Sequence, residues 1–166
     1  MPVRIRKYRE SDAIAVGKLI ADTFRDFNLD YAPKAEQEKL LGPFRDAHSK
    51  DPEKLASIAR MIEAPWVWIA VEEDEIIGIL RGSPGRLRSL FVAKRAHRRG
   101  IGKKLMAIFE KACVEAGTEK ITMQATLYAV PFYQSLGFKR STGVRTGPCF
   151  DGVDFPYQPM RKDLAI

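Results

Sequence analysis

Apolar and basic side chains alternate from Val3 to Tyr8, the period-two pattern of a half-buried strand. The period then changes. Val16, Leu19, Ile20, Thr23, Phe24 and Phe27 recur at helical spacing on one face, and Ser11 before them is a fair N-cap. From Asp30 to Ala64 the chain is polar and helix-prone but interrupted at Pro33, Gly42-Pro43 and Asp51-Pro52, which predicts one or two short helices joined by loops. Trp66 to Glu72 and Glu75 to Arg81, separated by Glu73-Asp74, read as a β-hairpin, and Ser83-Pro84-Gly85 turns the chain into a third antiparallel strand from Arg86 to Val92.

Ile101, Leu105, Phe109, Ala112 and Ala116 form the apolar stripe of a helix from Gly100 to Ala116, with Gly117 just past its end. A strand from Lys120 to Ala125 follows. A strand, helix, strand unit of this size implies a parallel pair with a right-handed crossover. Tyr128 to Leu136 is a short helix stopped by Gly137, and Phe138 begins another strand. The tail from Val153 to Leu164 carries Pro156 and Pro159 and reads as an edge or bent final strand. The order β-α-α-β-β-β-α-β-α-β-β predicts an α+β fold, a mixed sheet with helices on its faces.

The 166 residues suit a single domain spanning 1–166, large enough to bury a core without disulfides or metals. The first residues lack the apolar core of a signal peptide and no apolar run reaches membrane-span length, so a soluble cytoplasmic protein, monomeric or homodimeric, is expected. Cys113, Cys149, His48 and His97 are isolated, which predicts neither a disulfide framework nor a metal site. Charge is distributed unevenly. Residues 1–80 hold 12 Lys+Arg against 15 Asp+Glu, net −3, while residues 81–166 hold 16 against 6, net +10. A small polyanionic ligand accounts for that asymmetry, and so does nucleic acid.

The densest chemistry lies in His97-Arg98-Arg99-Gly100-Ile101-Gly102-Lys103-Lys104, which follows a strand and opens a helix. Glycines let backbone N–H groups approach an anion, and the first helical turn leaves its donors unpaired at the positive end of the helix dipole. The spacing is neither that of a nucleotide P-loop nor that of a dinucleotide fingerprint, whose third glycine is Met106 here.

Three segments together resemble the GNAT-type N-acetyltransferases. They are the apolar strand Leu90-Phe91-Val92, the loop His97-x-x-Gly100-x-Gly102, and Ala129-x-x-Phe132-Tyr133-x-x-x-Gly137-Phe138. The likeness covers roughly residues 66–164 and, weakly, the first 30. It departs from the family at His97, where Gln or Arg is usual, and at Thr126, where Asn is frequent. The resemblance implies a mostly antiparallel sheet with a splayed parallel pair at the cofactor site and helices on both faces. It also implies acetyl-coenzyme A as donor and a primary amine of a small molecule or peptide as acceptor, attacked directly in a ternary complex.

By that resemblance Arg98, Arg99, Gly100, Ile101, Gly102 and Lys103 would meet the phosphates, with Lys104 within reach of the outer one. Leu90, Phe91 and Val92 would form a bulge whose free backbone groups meet the pantetheine arm and thioester, where a donor stabilises developing oxyanion charge. Tyr133 matches the family's general acid. Donation from a phenol with pKa of roughly 10 to a thiolate of roughly 8.5 is uphill by about 2 kcal/mol, so hydrogen bonding to the leaving sulfur stays open beside full transfer. The strand offers no carboxylate as base. Glu72, Asp151 and Asp154, a water chain or a backbone carbonyl are the alternatives. Asp151, Asp154 and Tyr157 are expected near the amine, while Arg81, Arg86 and Arg88 are candidates to hold a carboxylate on the acceptor. Two rivals remain: a basic nucleic-acid-binding module, and an acyl-coenzyme A sensor without turnover.

Overall fold

The computed structural model describes residues 2–150 and 153–164. The short strand β1 (Arg4–Lys7) is followed by a 3-10 turn (Glu10–Asp12) and helix α1 (Ala13–Asn28). Ser11 does not cap that helix. Asp12 takes the junction instead, its carboxylate accepting from Arg9 N (2.8 Å) and from both terminal nitrogens of Arg6 (2.9 Å each). The guanidinium of Arg6 thereby holds the Asp12 carboxyl below its usual range.

The polar stretch after α1 contains two helices, α2 (Lys34–Leu41) and α3 (Pro52–Ile62), with a 3-10 turn at Gly42–Asp46 between them. Asp51 caps α3 by accepting from Glu53 N at 3.0 Å, and Pro52 occupies its first turn, where no N–H is needed. Strands β2 (Trp66–Glu72), β3 (Glu75–Ser83) and β4 (Arg86–Val92) form an antiparallel meander. The β2–β3 turn places both Glu73 and Asp74 at positive φ, the backbone that a two-residue hairpin requires.

Helix α4 (Ile101–Glu115) leads to β5 (Lys120–Thr126), and α5 (Val130–Ser135) precedes β6 (Lys139–Arg140), β7 (Arg145–Cys149) and β8 (Val153–Asp163). The buried stripe of α4 runs Ile101, Leu105, Met106, Phe109 and Cys113, while Ala116 is exposed. A four-residue step per turn therefore carries the inward face to Cys113 at the last turn. The eight-stranded sheet has the order β1-β2-β3-β4-β5-β8-β6, with β7 also on β8. Every pairing is antiparallel except β4 with β5.

Two elements differ from the sequence expectation. Strand β7 lies between the strands beginning at Phe138 and Val153, where the sequence pattern predicts no element, and β8 is internal to the sheet, since β5 lies on one side of it and β6 and β7 share the other. Its prolines are tolerated because each keeps a carbonyl for pairing, as when Pro159 O accepts from Ser141 N at 3.1 Å.

The sheet separates two cores. One packs α4 and α5 around Leu80, Leu105, Phe109, Ile121 and Phe138; the other packs α1, α2 and α3 around Ile20, Phe24, Phe44, Ile62 and Ile79. Gly82 of β3 is the tightest point beside the parallel junction. A Cβ there would stand 2.8 Å from Arg86 O and 2.8 Å from the Phe109 ring. Gly82→Ala is therefore expected to destabilise the fold by about 1–3 kcal/mol through overpacking. At about 2–4 °C per kcal/mol for a chain of this size, thermal unfolding should record a drop of several degrees, and an unchanged midpoint would contradict the packing.

Candidate active site

Strands β4 and β5 are partners at a single residue pair, Arg86 with Thr122. There Thr122 N donates to Gly85 O at 2.9 Å and Arg86 donates to Thr122 Oγ1 at 3.2 Å. Beyond that pair the strands part. The departure begins at a bulge: Arg81 of β3 pairs with Ser89 and Gly82 pairs with Leu87, so Arg88 is an extra residue in β4. An extra residue bends its strand and re-aims a side chain. The bulge was expected at Leu90, Phe91 and Val92. It lies earlier, and those three stay paired with Leu80, Ile79 and Gly78 of β3 along the diverging stretch.

The divergence opens a cavity of about 640 Å³. At one end lies the start of α4. Gly100 caps the helix at φ +77° with no side-chain cap, and Arg98 also has positive φ, at +62°. Lys104 N, on Gly100 O at 3.0 Å, is the first amide of the helix to find a carbonyl, so the donors of Ile101, Gly102 and Lys103 stay open at the positive end of the helix dipole. A Cβ on Gly100 would meet no atom within 4 Å, and one on Gly102 would stand 3.2 Å from the Phe132 ring. Arg98, Gly100, Ile101, Gly102 and Lys103 line the cavity together with Leu90, Phe91 and Val92.

Arg99 is turned elsewhere. It pairs with Glu72, whose carboxyl it holds below the usual range, and neither residue lines the cavity. His97 does line it, in a way the sequence did not announce. Its Nε2 lies 2.8 Å from Val92 O, and since a carbonyl only accepts, Nε2 donates. The imidazole also stacks on Phe27 of α1, centroids 4.5 Å apart. The ring thus ties the glycine loop to the end of β4 and closes it against α1.

Tyr133 projects from α5 between Phe132 and Phe138, at centroid distances of 5.2 and 5.8 Å. The residue is only 6% exposed, and burial pushes its phenol well above the usual range. Its hydroxyl makes no hydrogen bond within the described residues, yet no buried side-chain polar atom among them is orphaned. The hydroxyl therefore reaches the cavity that Tyr133 helps to line.

Arg88 and Tyr157 also line the cavity, Tyr157 across from Thr126 of β5, whereas Arg86 is occupied at the strand junction. Asp154 lies in a separate depression beside Tyr31, Glu36 and Lys39, and Asp151 lies outside the described residues. Among the described residues, no aspartate or glutamate lines the main cavity. Arg81 enters its wall without a carboxylate partner among the described residues. It donates to Ile62 O (2.7 Å) and Met61 O (2.7 Å) at the end of α3 and to Ser89 Oγ (3.0 Å). Burial, and then the charge of Arg88, push its guanidinium down to about 10.

Sequence reasoning missed the aromatic wall formed by Phe24, Phe27, Phe150 and Phe155. Phe24 and Phe27 were visible only as part of an apolar stripe, which any core helix shows. Among the described residues no group of three or more His, Cys, Asp or Glu side chains could hold a metal ion, and no helix is long and apolar enough to cross a membrane.

The whole architecture recurs in solved structures. A GCN5-related N-acetyltransferase from Rhodopseudomonas palustris superposes with a TM-score of 0.78 at 20% identity, covering 99% of this chain and 97% of that one. The PaiA N-acetyltransferase from Thermoplasma acidophilum, solved in complex with coenzyme A, gives 0.73 at 20% identity over 99% of this chain and 100% of that one. In sequence, the chain is 38% identical over 74 residues to the peptidyl-lysine N-acetyltransferase YiaC of Escherichia coli (strain K12). That match covers 44% of this chain and 48% of YiaC, so the chain spans about half the length of the curated relative it matches. The sequence profile of the acetyltransferase (GNAT) domain matches residues 31–164. With the split parallel pair and the open glycine helix start both in place, this chain belongs to the GNAT acetyltransferase family.

Proposed function

We propose that this protein is an N-acetyltransferase that moves the acetyl group of acetyl-coenzyme A to a primary amine by direct attack in a ternary complex. The observation that carries the reading is the uncapped start of α4 opening into the cavity between β4 and β5. The donor set there fits a pyrophosphate: open amides from Ile101 to Lys103, bare backbone at Gly100, and the side chains of Arg98 and Lys103. Leu90, Val92, Ala129 and Phe132 give the adjoining walls an apolar surface suited to a pantetheine arm.

Acetyl-coenzyme A supplies an activated thioester when bound. The protein supplies position and polarity. The β4 edge that has left β5 offers backbone groups at Leu90 to Val92 to orient the acyl end, and a backbone N–H aimed at developing oxyanion charge is worth a few kcal/mol. Tyr133 Oη stays protonated throughout the working pH range, because its burial disfavours the phenolate. It is therefore a hydrogen-bond donor to the leaving sulfur more readily than a full proton source. With no carboxylate lining the cavity among the described residues, and with the His97 ring held on Val92 O and stacked on Phe27, we assign water as the group that takes the ammonium proton before attack.

Acetyl-coenzyme A at a hundredfold excess over its dissociation constant should stabilise the protein by about 2.7 kcal/mol, read as a rise in unfolding temperature. Gly100→Val, which places a branched side chain at φ +77° where the backbone is bare, should abolish the rise. Stabilisation by a DNA oligomer in preference to the cofactor would favour a nucleic-acid module.

Tyr133→Phe should leave that stabilisation intact and lower kcat by on the order of a hundredfold. Equal turnover in the two proteins would return Tyr133 to the core.

The missing base has its own signature. For an acceptor amine with pKa near 10, kcat/KM should climb about tenfold per pH unit between pH 7 and 9, following the neutral fraction of the amine. A plateau beginning near neutrality would reveal a protein base.

A further inference from the structure

The acceptor end of the cavity has one sign of charge. Arg88 is the extra residue of the β4 bulge, is exposed, lines the cavity, and makes no hydrogen bond or ion pair within the described residues. Bulges persist where they re-aim a side chain, and this one aims a guanidinium into the opening it creates. Behind it Arg81 is half-buried on carbonyls of α3 and on Ser89, with no carboxylate among the described residues to neutralise it. The two cations act on each other unfavourably, since the charge of Arg88 is one of the causes that lower the pKa of Arg81. An anion between them and the solvent would relieve that repulsion. The neighbouring wall is aromatic, with Phe24 set against Phe91, Phe150 and Phe155 at centroid distances of 6.2, 5.3 and 5.6 Å.

From this juxtaposition we infer that the acceptor is a small amine carrying an oxyanion and an apolar body, with the oxyanion received by the guanidinium of Arg88 and the body packed on the phenylalanines. The inference rests on the acetyltransferase reading and names its acceptor class. Arg88 presents a planar fork that a carboxylate or a phosphate engages through two parallel hydrogen bonds. Arg81 contributes mainly field, because four of its five N–H donors are already engaged by Ile62, Met61, Glu63 and Ser89. A polycationic acceptor is disfavoured, since no carboxylate lines the cavity among the described residues.

Phenylalanine, phenylalaninamide, phenethylamine, an aminoalkyl phosphate and a lysine peptide provide the test. Binding to the coenzyme A-loaded protein is measured by calorimetry, and acetylation by thiol release from acetyl-coenzyme A. Phenylalanine should bind and react about 10- to 100-fold better than phenethylamine, Arg88→Ala should erase that difference, and Arg88→Lys should restore part of it. The KM for acetyl-coenzyme A should not move. The phosphate arm shows whether the site takes any oxyanion or a carboxylate alone. Equal turnover of phenylalanine and phenethylamine, or a lysine peptide acetylated best and indifferently to Arg88, would overturn the inference while leaving the transferase intact. Arg88-dependent binding of the oxyanion without acetylation of any acceptor would support the anion site and sink the transferase reading.

Discussion

The structure depends on one broken pairing. Two parallel strands that meet at Arg86 and Thr122 and then separate leave a column of main-chain groups without strand partners. Unpaired main-chain groups are costly when buried away from water, so the fold must open the gap to solvent or to a ligand. It holds the strands apart by local means. The extra residue at Arg88 bends β4, Gly82 admits Phe109 against the Arg86 carbonyl where any larger residue would clash, and His97 takes up the carbonyl of Val92 at the far end. The cavity is a direct consequence of these contacts.

Charge divides the cavity as clearly as shape does. At the α4 end, open amides and the helix dipole gather positive potential with few side chains, and Arg99 is withdrawn into a pair with Glu72. At the other end the potential comes from Arg81 and Arg88. Between them the lining is mostly apolar or aromatic, and Tyr133 reaches it with a hydroxyl that has no partner among the described residues. A molecule anionic at its distal end and thioester-bearing in the middle fits the first half. The second half selects the acceptor.

Much of this was legible in the chain because local pattern and tertiary demand agree. The hairpin from Trp66 to Arg81, the glycine loop and the helix after it, and the Phe132-Tyr133 segment are specified by short-range spacing. The fold class follows from their order. Register was not legible. Alternation along Arg86 to Val92 does not reveal that one residue is extra, because the bulge is set by how β3 pairs with β4, so it was expected two to four residues late. The same holds for Asp12, whose ion pair is with Arg6 arriving from β1, and for β8, whose prolines suggested an edge while its length brought three other strands to it. Side-chain partners across the sheet were equally hidden, and so Arg99, Arg81 and Arg86 looked available when each has a partner.

The central claim is that backbone exposed by the split sheet and the uncapped helix, more than any one side chain, holds the acyl donor. Amide hydrogen exchange with and without acetyl-coenzyme A tests it most directly. Amides of residues 98–103, along with those at 90–92 that point away from β3, should exchange quickly in the free protein where they lack partners and slow markedly when the donor is bound. Slowing confined to the basic strands β6 to β8, with the helix start unchanged, would contradict the account.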